Sequence, residues 1–181
     1  MSAPSFHLFD VAFGRCAVVW RGDLIVRILL PAGYDDRLRA AIARNHEGAT
    51  ESEPPASIAA VIEKITALCR GEPQDFGGAP LDRSIIEPFA GRVYAALEKT
   101  GCGETTTYGA IANDLGDKSL SRAVGAALGA NPFPIVIPCH RVTAAKGAMG
   151  GFSAPGGAAT KRKLLEIEGA FAADKLPLFA R

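Results

Sequence analysis

The most regular pattern in the chain lies near its start, where RCAVVWRGDLIVRILLP holds two apolar, β-branched runs, Cys16 to Trp20 and Leu24 to Leu30, separated by Gly22 and Asp23. Such runs around a Gly-Asp pair predict two strands joined by a tight hairpin turn, and with them an N-terminal antiparallel sheet. Further along, ASIAAVIEKITALCRG sets Ile58, Val61, Ile62, Ile65 and Leu68 at helical spacing, with Gly71 placed to cap the end. The stretch GEPQDFGGAPLDRS, rich in Gly, Pro and Asp, reads as a crossing between two parts of the molecule.

Beyond this crossing the pattern becomes helical. IEPFAGRVYAALEKT places Phe89, Val93, Ala96 and Leu97 on one face. Two short amphipathic pieces follow, Tyr108 to Leu115 and Ser119 to Leu128, around a turn holding Gly116. This is the outline of a helix-turn-helix, although a packed helical hairpin without nucleic-acid function fits the pattern equally well. The second piece carries Ala123, Gly125, Ala126, Ala127 and Gly129, with Arg122 as the basic residue among them. Glycines lower helix propensity, a cost that makes sense where something bulky approaches the backbone, whether a DNA groove or another helix. The expected fold is an α/β N-terminal domain (antiparallel sheet plus helix) over residues 1–82. A mostly helical C-terminal domain with a helix-turn-helix follows over residues 83–173, with a tail at 174–181.

Composition narrows the class. At 181 residues, 48% hydrophobic and 22% charged, the chain is long enough for a substantial core and ordinary for a globular protein. It holds no uncharged apolar run of about 18 residues, and MSAPSFHLFD lacks the basic and apolar regions of a secretion signal. A soluble, cytoplasmic protein with no membrane partner is expected. The net charge of +1 does not announce nucleic-acid binding. The first 100 residues carry 11 Lys and Arg against 13 Asp and Glu and the remainder 9 against 6, giving −2 and +3. Ordinary surface variation explains that asymmetry as well as a DNA-facing surface does. Cys16, Cys69, Cys102 and Cys139 are scattered, and His7, His46 and His140 do not form a ligand set with them, so neither a disulfide framework nor a zinc site is signalled.

The candidate chemistry sits in IPCHRV, residues 137–142. Buried cysteines are usually small hydrophobes, the reading adopted for Cys16, Cys69 and Cys102. Cys139 differs because Pro132, Pro134 and Pro138 constrain its approach and His140 and Arg141 follow it directly. The thiolate is the reactive form, and a nearby imidazole or cation raises its population. Adjacent side chains diverge, so His140 takes the thiol proton through a water, with a carboxylate on its far side to orient the ring. Glu166 and Glu168 are the nearest carboxylates after the motif.

The segments GETTTYGAIA, SRAVGAALGANPFPIVIPCHRV, and GGFS followed by KRKLLEIEG resemble the O6-alkylguanine-DNA alkyltransferases, also called methylated-DNA–protein-cysteine methyltransferases. The similarity runs over residues 87–170 and is weaker over the N-terminal sheet. It implies DNA repair by stoichiometric alkyl transfer from O6 of guanine in duplex DNA to Cys139, with the helix-turn-helix in the minor groove. The protein would act as a monomer, once per molecule, and without a cofactor, because the damaged base is the donor. Base flipping is required because the alkylated oxygen cannot meet a thiolate inside the stack.

The resemblance also assigns roles. Arg122 takes the place of the extruded nucleotide, and Ser121, Ala123 and Thr107 join it in contacting DNA. Tyr108 turns the neighbouring phosphate and helps protonate the leaving guanine. His140 accepts the thiol proton through water while Glu168 holds His140. Asn131 supports the turn into an active-site strand, carbonyls of Cys139 and Val142 read the guanine amino group, and Ser153 lies near the alkylated oxygen.

Some features depart from the family pattern. The loop GGFSAPGGAATK is longer than the common form, which bears on Ser153 and on the alkyl size accepted. Phe152 stands where many relatives have tyrosine, and the N-terminal part lacks the residues for the structural zinc some relatives carry, so no metal is expected. Three other readings compete: a non-repairing recogniser of alkylated bases, whose known forms replace the nucleophile; a cysteine hydrolase, which needs an oxyanion hole and repeated turnover; and a transcription factor, which leaves Cys139 unexplained.

Overall fold

Strands β1 (Ser5–Val11), β2 (Gly14–Arg21) and β3 (Leu24–Leu29) form an antiparallel meander, seen in a computed structural model that describes residues 3–171. The expected tail at 174–181, with the last two residues of the expected C-terminal domain, lies outside the described residues. The β2–β3 turn falls at Gly22 and Asp23 as the pattern predicts, and Gly22 adopts a positive φ of 57°, a conformation glycine takes without steric cost. A short edge strand, β4 (Thr50–Glu51), pairs parallel to β1, so the sheet, in the order β3-β2-β1-β4, is mixed rather than wholly antiparallel.

The sheet is covered on both faces, which explains why β2 reads as a continuous apolar run instead of alternating. Ala17 and Val19 pack toward helix α1 (Asp35–Asn45) with Phe6, Val26 and Ile42. Cys16, Val18 and Trp20 face the other way, into a larger core with helix α2 (Ala56–Leu68). Four α2 side chains, Ile58, Val61, Ile65 and Leu68, are buried there, each stabilising the fold by about 1.5–3 kcal/mol relative to exposure. Helix α2 stops at Cys69, and Gly71 at φ 89° lets the N–H groups of Gly71 and Glu72 close on Leu68 and Ala67.

The crossing segment runs along β3, where Leu81 bridges Ile25 and the Ile25 N–H donates to Pro80 O at 2.7 Å. Helix α3 (Pro88–Leu97) starts with Pro88 in its first turn and buries Ala90, Val93, Tyr94 and Leu97. This corrects the expected face, since Phe89 and Ala96 are only half-buried and Tyr94 is deep in the core. The Tyr94 hydroxyl donates to Ala127 O at 2.7 Å, which satisfies its polar end and fastens α3 to the next helices. Those are α4 (Tyr108–Asp114) and α5 (Ser121–Gly129), joined through Gly116 and a single 3-10 turn at Lys118–Leu120. Helix α6 (Gly157–Ile167) closes the described chain. One hydrophobic core joins sheet to helices, running from Cys16 and Trp20 through Val93 and Phe133 to Leu164. Among the described residues no helix is long and apolar enough to cross a membrane.

Candidate active site

A two-stranded parallel ladder sets the site. Strand β5 (Thr106–Thr107) pairs with β6 (Val142–Thr143), bringing the start of α4 beside the CHRV segment. The Thr107 hydroxyl accepts from Ala110 N–H at 3.0 Å and so caps α4, a structural task for a residue expected to contact DNA. Tyr108 follows as the first residue of α4, its hydroxyl donating to Gly151 O at 3.3 Å. Gly150 makes this approach possible, because at φ 71° a side-chain carbon there would stand 3.2 Å from the tyrosine oxygen.

Cys139 opens a 3-10 turn, Cys139–Arg141, and not the strand expected. The loop before it is held by Asn131, whose Nδ2 donates to Ile137 O at 2.8 Å and whose Oδ1 accepts from Phe133 N–H at 2.9 Å. Within the loop Ile135 is forced to φ 73°, a conformation that costs a β-branched residue about 1–3 kcal/mol and persists only where its surroundings over-determine it. Ile135 is buried, as are Phe133 and Ile137 on either side.

His140 is completely buried, and its Nε2 lies 2.9 Å from Glu168 Oε1. Glu168 accepts twice more, from Arg141 Nη2 at 2.9 Å and Nε at 3.0 Å, while Arg141 Nη1 donates to Thr100 O. Burial pushes the Glu168 carboxyl up, but the hydrogen bonds and charges of His140 and Arg141 outweigh it and hold the group at about 2. Glu168 is therefore ionised, and an ionised acceptor requires the imidazole proton on Nε2. Nδ1 is left with a lone pair, and among the described residues it is buried without a partner. Burial holds the His140 pKa below its ordinary value despite Glu168. The ring is thus neutral at physiological pH, oriented by a fixed anion and able to take a proton.

The thiol beside it is mostly buried as well. Burial raises the Cys139 pKa, opposed by the Asn131 side chain, by N–H groups of Cys139 and His140, and by the charge of Lys161. Lys161 is the residue sequence reasoning missed. It lies on α6, is fully buried, and its Nζ donates to Val142 O at 2.5 Å and Gly151 O at 3.1 Å, 6.0 Å from the Tyr108 ring centroid. Burial without a carboxylate partner lowers its pKa to about 8. The Val142 oxygen expected to read a guanine is accordingly shared with this ammonium. Arg141 was likewise given no task, although it supplies two of the three hydrogen bonds that hold Glu168.

The remaining candidates surround the mouth. Tyr108, Gly125, Leu128, Cys139 and Phe152 line a pocket of about 540 Å³. Ser153, also at this pocket, donates to Gly129 O at 2.9 Å. Ser121 begins α5 and donates to Lys118 O at 2.9 Å, while Arg122 and Ala123 are exposed on the first turn. A side-chain carbon at Gly125 would meet the Tyr108 ring at an ordinary 3.8 Å and one at Gly129 would meet nothing within 4 Å, so contacts among the described residues do not require either glycine. Cys16 and Cys69 are buried in the core as expected, whereas Cys102 is half-buried.

Comparison with known proteins identifies the family. Residues 88–170 match the family model described as 6-O-methylguanine DNA methyltransferase, DNA binding domain. The methylated-DNA--protein-cysteine methyltransferase of Mycolicibacterium paratuberculosis is 40% identical over 128 residues, covering 71% of this chain and 75% of that protein. The DNA base-flipping protein of Thermus thermophilus is 42% identical over 110 residues, 61% of this chain and 72% of that one. A crystal structure of Mycobacterium tuberculosis OGT in complex with DNA superposes with a TM-score of 0.74 at 31% identity, covering 92% of this chain and 93% of that one. With the match to its DNA-binding model and this identity to a curated member over most of both lengths, the chain belongs to the methylated-DNA--protein-cysteine methyltransferase family.

Proposed function

We propose that this protein repairs DNA directly, moving the alkyl group from O6 of guanine in duplex DNA onto the sulfur of Cys139. The observation that carries the reading is Cys139 at a pocket between Tyr108 and α5, next to a neutral His140 whose Nε2 is held by Glu168 and whose Nδ1 has no partner among the described residues. The thiol proton passes through a water to Nδ1, and the sulfur attacks the alkyl carbon in line. A sulfur–carbon bond forms as the carbon–O6 bond breaks, the departing guanine takes a proton from Tyr108, and the proton held on His140 returns through solvent to the tyrosine, so that the thiol proton is the one transferred overall. The ammonium of Lys161 favours the growing thiolate. The product is a thioether, so each molecule acts once.

Access to the buried oxygen requires the nucleotide to leave the helix, at a cost of a few kcal/mol that is lower for a poorly paired lesion. In this reading α4 and α5 act as the helix-turn-helix, with α5 in the minor groove. Exposed Arg122, without an ion pair among the described residues, fills the gap left by the flipped base, and Ser121 and Ala123 lie against the backbone. Residues 83–173 carry binding and transfer, residues 1–82 support them, and the protein works as a cytoplasmic monomer. The similarity to a base-flipping protein favours a second reading, recognition without repair, which the retained Cys139 opposes.

The test is intact-protein and peptide mass spectrometry after mixing with excess duplex carrying one O6-methylguanine. One added methyl on the Cys139 peptide, stopping at one equivalent and absent in Cys139→Ser, is expected. Binding of the lesion without modification of the protein would establish the recogniser instead.

A further inference from the structure

Away from Cys139, a cluster of cations in the N-terminal half stands without an anion. Arg21 ends β2, Arg27 lies on β3, and His46 caps the C-terminal end of α1. Among the described residues neither arginine forms an ion pair, and the paired acids of this half serve other cations: Asp10 and Asp35 hold Arg15, and Glu51 holds Arg39. The Nε of Arg21 is buried and has no acceptor among the described residues. A buried donor on a charged group is costly to leave unpaired, so an acceptor from outside the chain stabilises it.

The negative pole of α1 attracts cations by itself. Its last carbonyls, however, are engaged by local donors, Ile42 O by the His46 N–H at 2.7 Å and Ala41 O by Asn45 Nδ2 at 2.8 Å. Beside the cluster opens a cavity of about 330 Å³, lined by Arg27, Asn45 and His46 from the N-terminal half and by Glu87, Ala130 and Pro132 from the helical half. A water takes about 30 Å³ in the liquid, so an oxyanion fits there with part of its hydration shell. The ladder shapes this end of the sheet. Val19 opposes Arg27 and Trp20 opposes Ile25, so Val26 is an extra residue, and such a bulge re-aims its neighbours. Val26 goes into the core and Arg27 stays exposed. Burial, then the charges of Arg27 and Arg21, holds His46 below its ordinary pKa, which places all three groups within electrostatic reach of one another. Glu87 is the carboxylate at this cavity, and two permanent cations stand against it.

We propose that Arg21, Arg27 and His46 form a binding site for a phosphate oxyanion, at a cavity that Cys139 does not line and independent of the alkyl transfer proposed above. Guanidinium groups match phosphate oxygens with paired N–H donors, and the imidazole adds one more. The bound anion satisfies Arg21 and ties β2, β3 and α1 together at the seam with the helical half.

Isothermal titration of the full chain with inorganic phosphate at fixed ionic strength tests this. One equivalent is expected to bind with a Kd of about 1 mM or tighter, the affinity that two charge-assisted hydrogen bonds supply. Arg27→Gln should weaken binding by about tenfold or more, and Arg162→Gln, at an exposed position on α6, should leave it unchanged. Heat that does not saturate, or equal affinity in Arg27→Gln and wild type, would overturn the proposal. Ring NMR of the three histidines gives a second reading on the unaltered chain: phosphate should move the His46 resonances and leave those of His7 and His140 in place, and an unmoved His46 refutes the site. Duplex binding identifies the source of the phosphate. An Arg27→Gln variant that also binds undamaged duplex more weakly, with a salt slope lower by about one, assigns the site to a backbone phosphate of DNA. Unchanged duplex binding assigns it to a free phosphate compound.

Discussion

His140 Nε2 and Glu168 Oε1 stand 2.9 Å apart across 28 residues of chain, and both side chains are completely shielded from solvent. The contact sets the tautomer of the ring and leaves the lone pair on Nδ1, the atom proposed above to take the thiol proton. Glu168→Gln keeps the shape and removes the charge, leaving the Arg141 guanidinium buried without its counter-ion. Loss of one partner of a buried pair costs about 3–5 kcal/mol, and loss of a base-orienting anion slows transfer by about 10²-fold or more. Urea denaturation and single-turnover rates measure the two effects, and an unchanged rate in the folded variant would remove Glu168 from the proton path.

The same carboxyl predicts how stability depends on pH. Its folded-state value of about 2 lies below the ordinary 4.5, so the unfolded chain binds the proton more readily. The stabilisation is complete above 4.5 and is lost as pH falls from 4.5 toward 2. The difference in Tm between wild type and Glu168→Gln should therefore shrink over that interval. A constant difference would show that the carboxylate is not held in its charged form.

Lys161→Met replaces the buried ammonium by an apolar chain of similar length. The carbonyls of Val142 and Gly151 lose their donor, while the cost of a buried unpaired cation disappears, so the net change in stability should be small. The thiol loses a nearby positive charge. The rate at which iodoacetamide modifies Cys139 at pH 7, where Lys161 still carries its proton, should fall by about tenfold, equivalent to about 1.4 kcal/mol, as read by peptide mass mapping. An unchanged rate would confine Lys161 to a structural role.

Arg122→Ala should slow repair of duplex DNA by more than tenfold and leave reaction with free O6-alkylguanine nearly unchanged, because the free base needs no extrusion. Parallel kinetics on the two substrates test this. Equal losses would place Arg122 in the chemistry or the fold instead of in flipping.

Much of the frame was legible along the chain. The β2–β3 hairpin, α2 with Gly71 at its end, and the short helices around Gly116 follow from periodicity and turn residues, which are local properties. Helix α1 was not legible, since only Leu38 and Ile42 of DDRLRAAIARN face the core, too few to mark an apolar stripe. On α3 periodicity identified the helix but missed Tyr94, whose burial depends on a hydrogen-bond partner from α5.

By itself the sequence singled out Cys139, its neighbouring imidazole and a motif specific enough to identify the family, because these are consecutive residues. The resemblance already named Glu168, but only the tertiary structure brought its carboxylate within 2.9 Å of His140, carried Lys161 into contact with Val142 and Gly151, and laid β3 and α1 beside Cys139. Each of these juxtaposes segments distant in the chain, and such contacts follow from how the helices and sheet share one core, which local patterning does not encode.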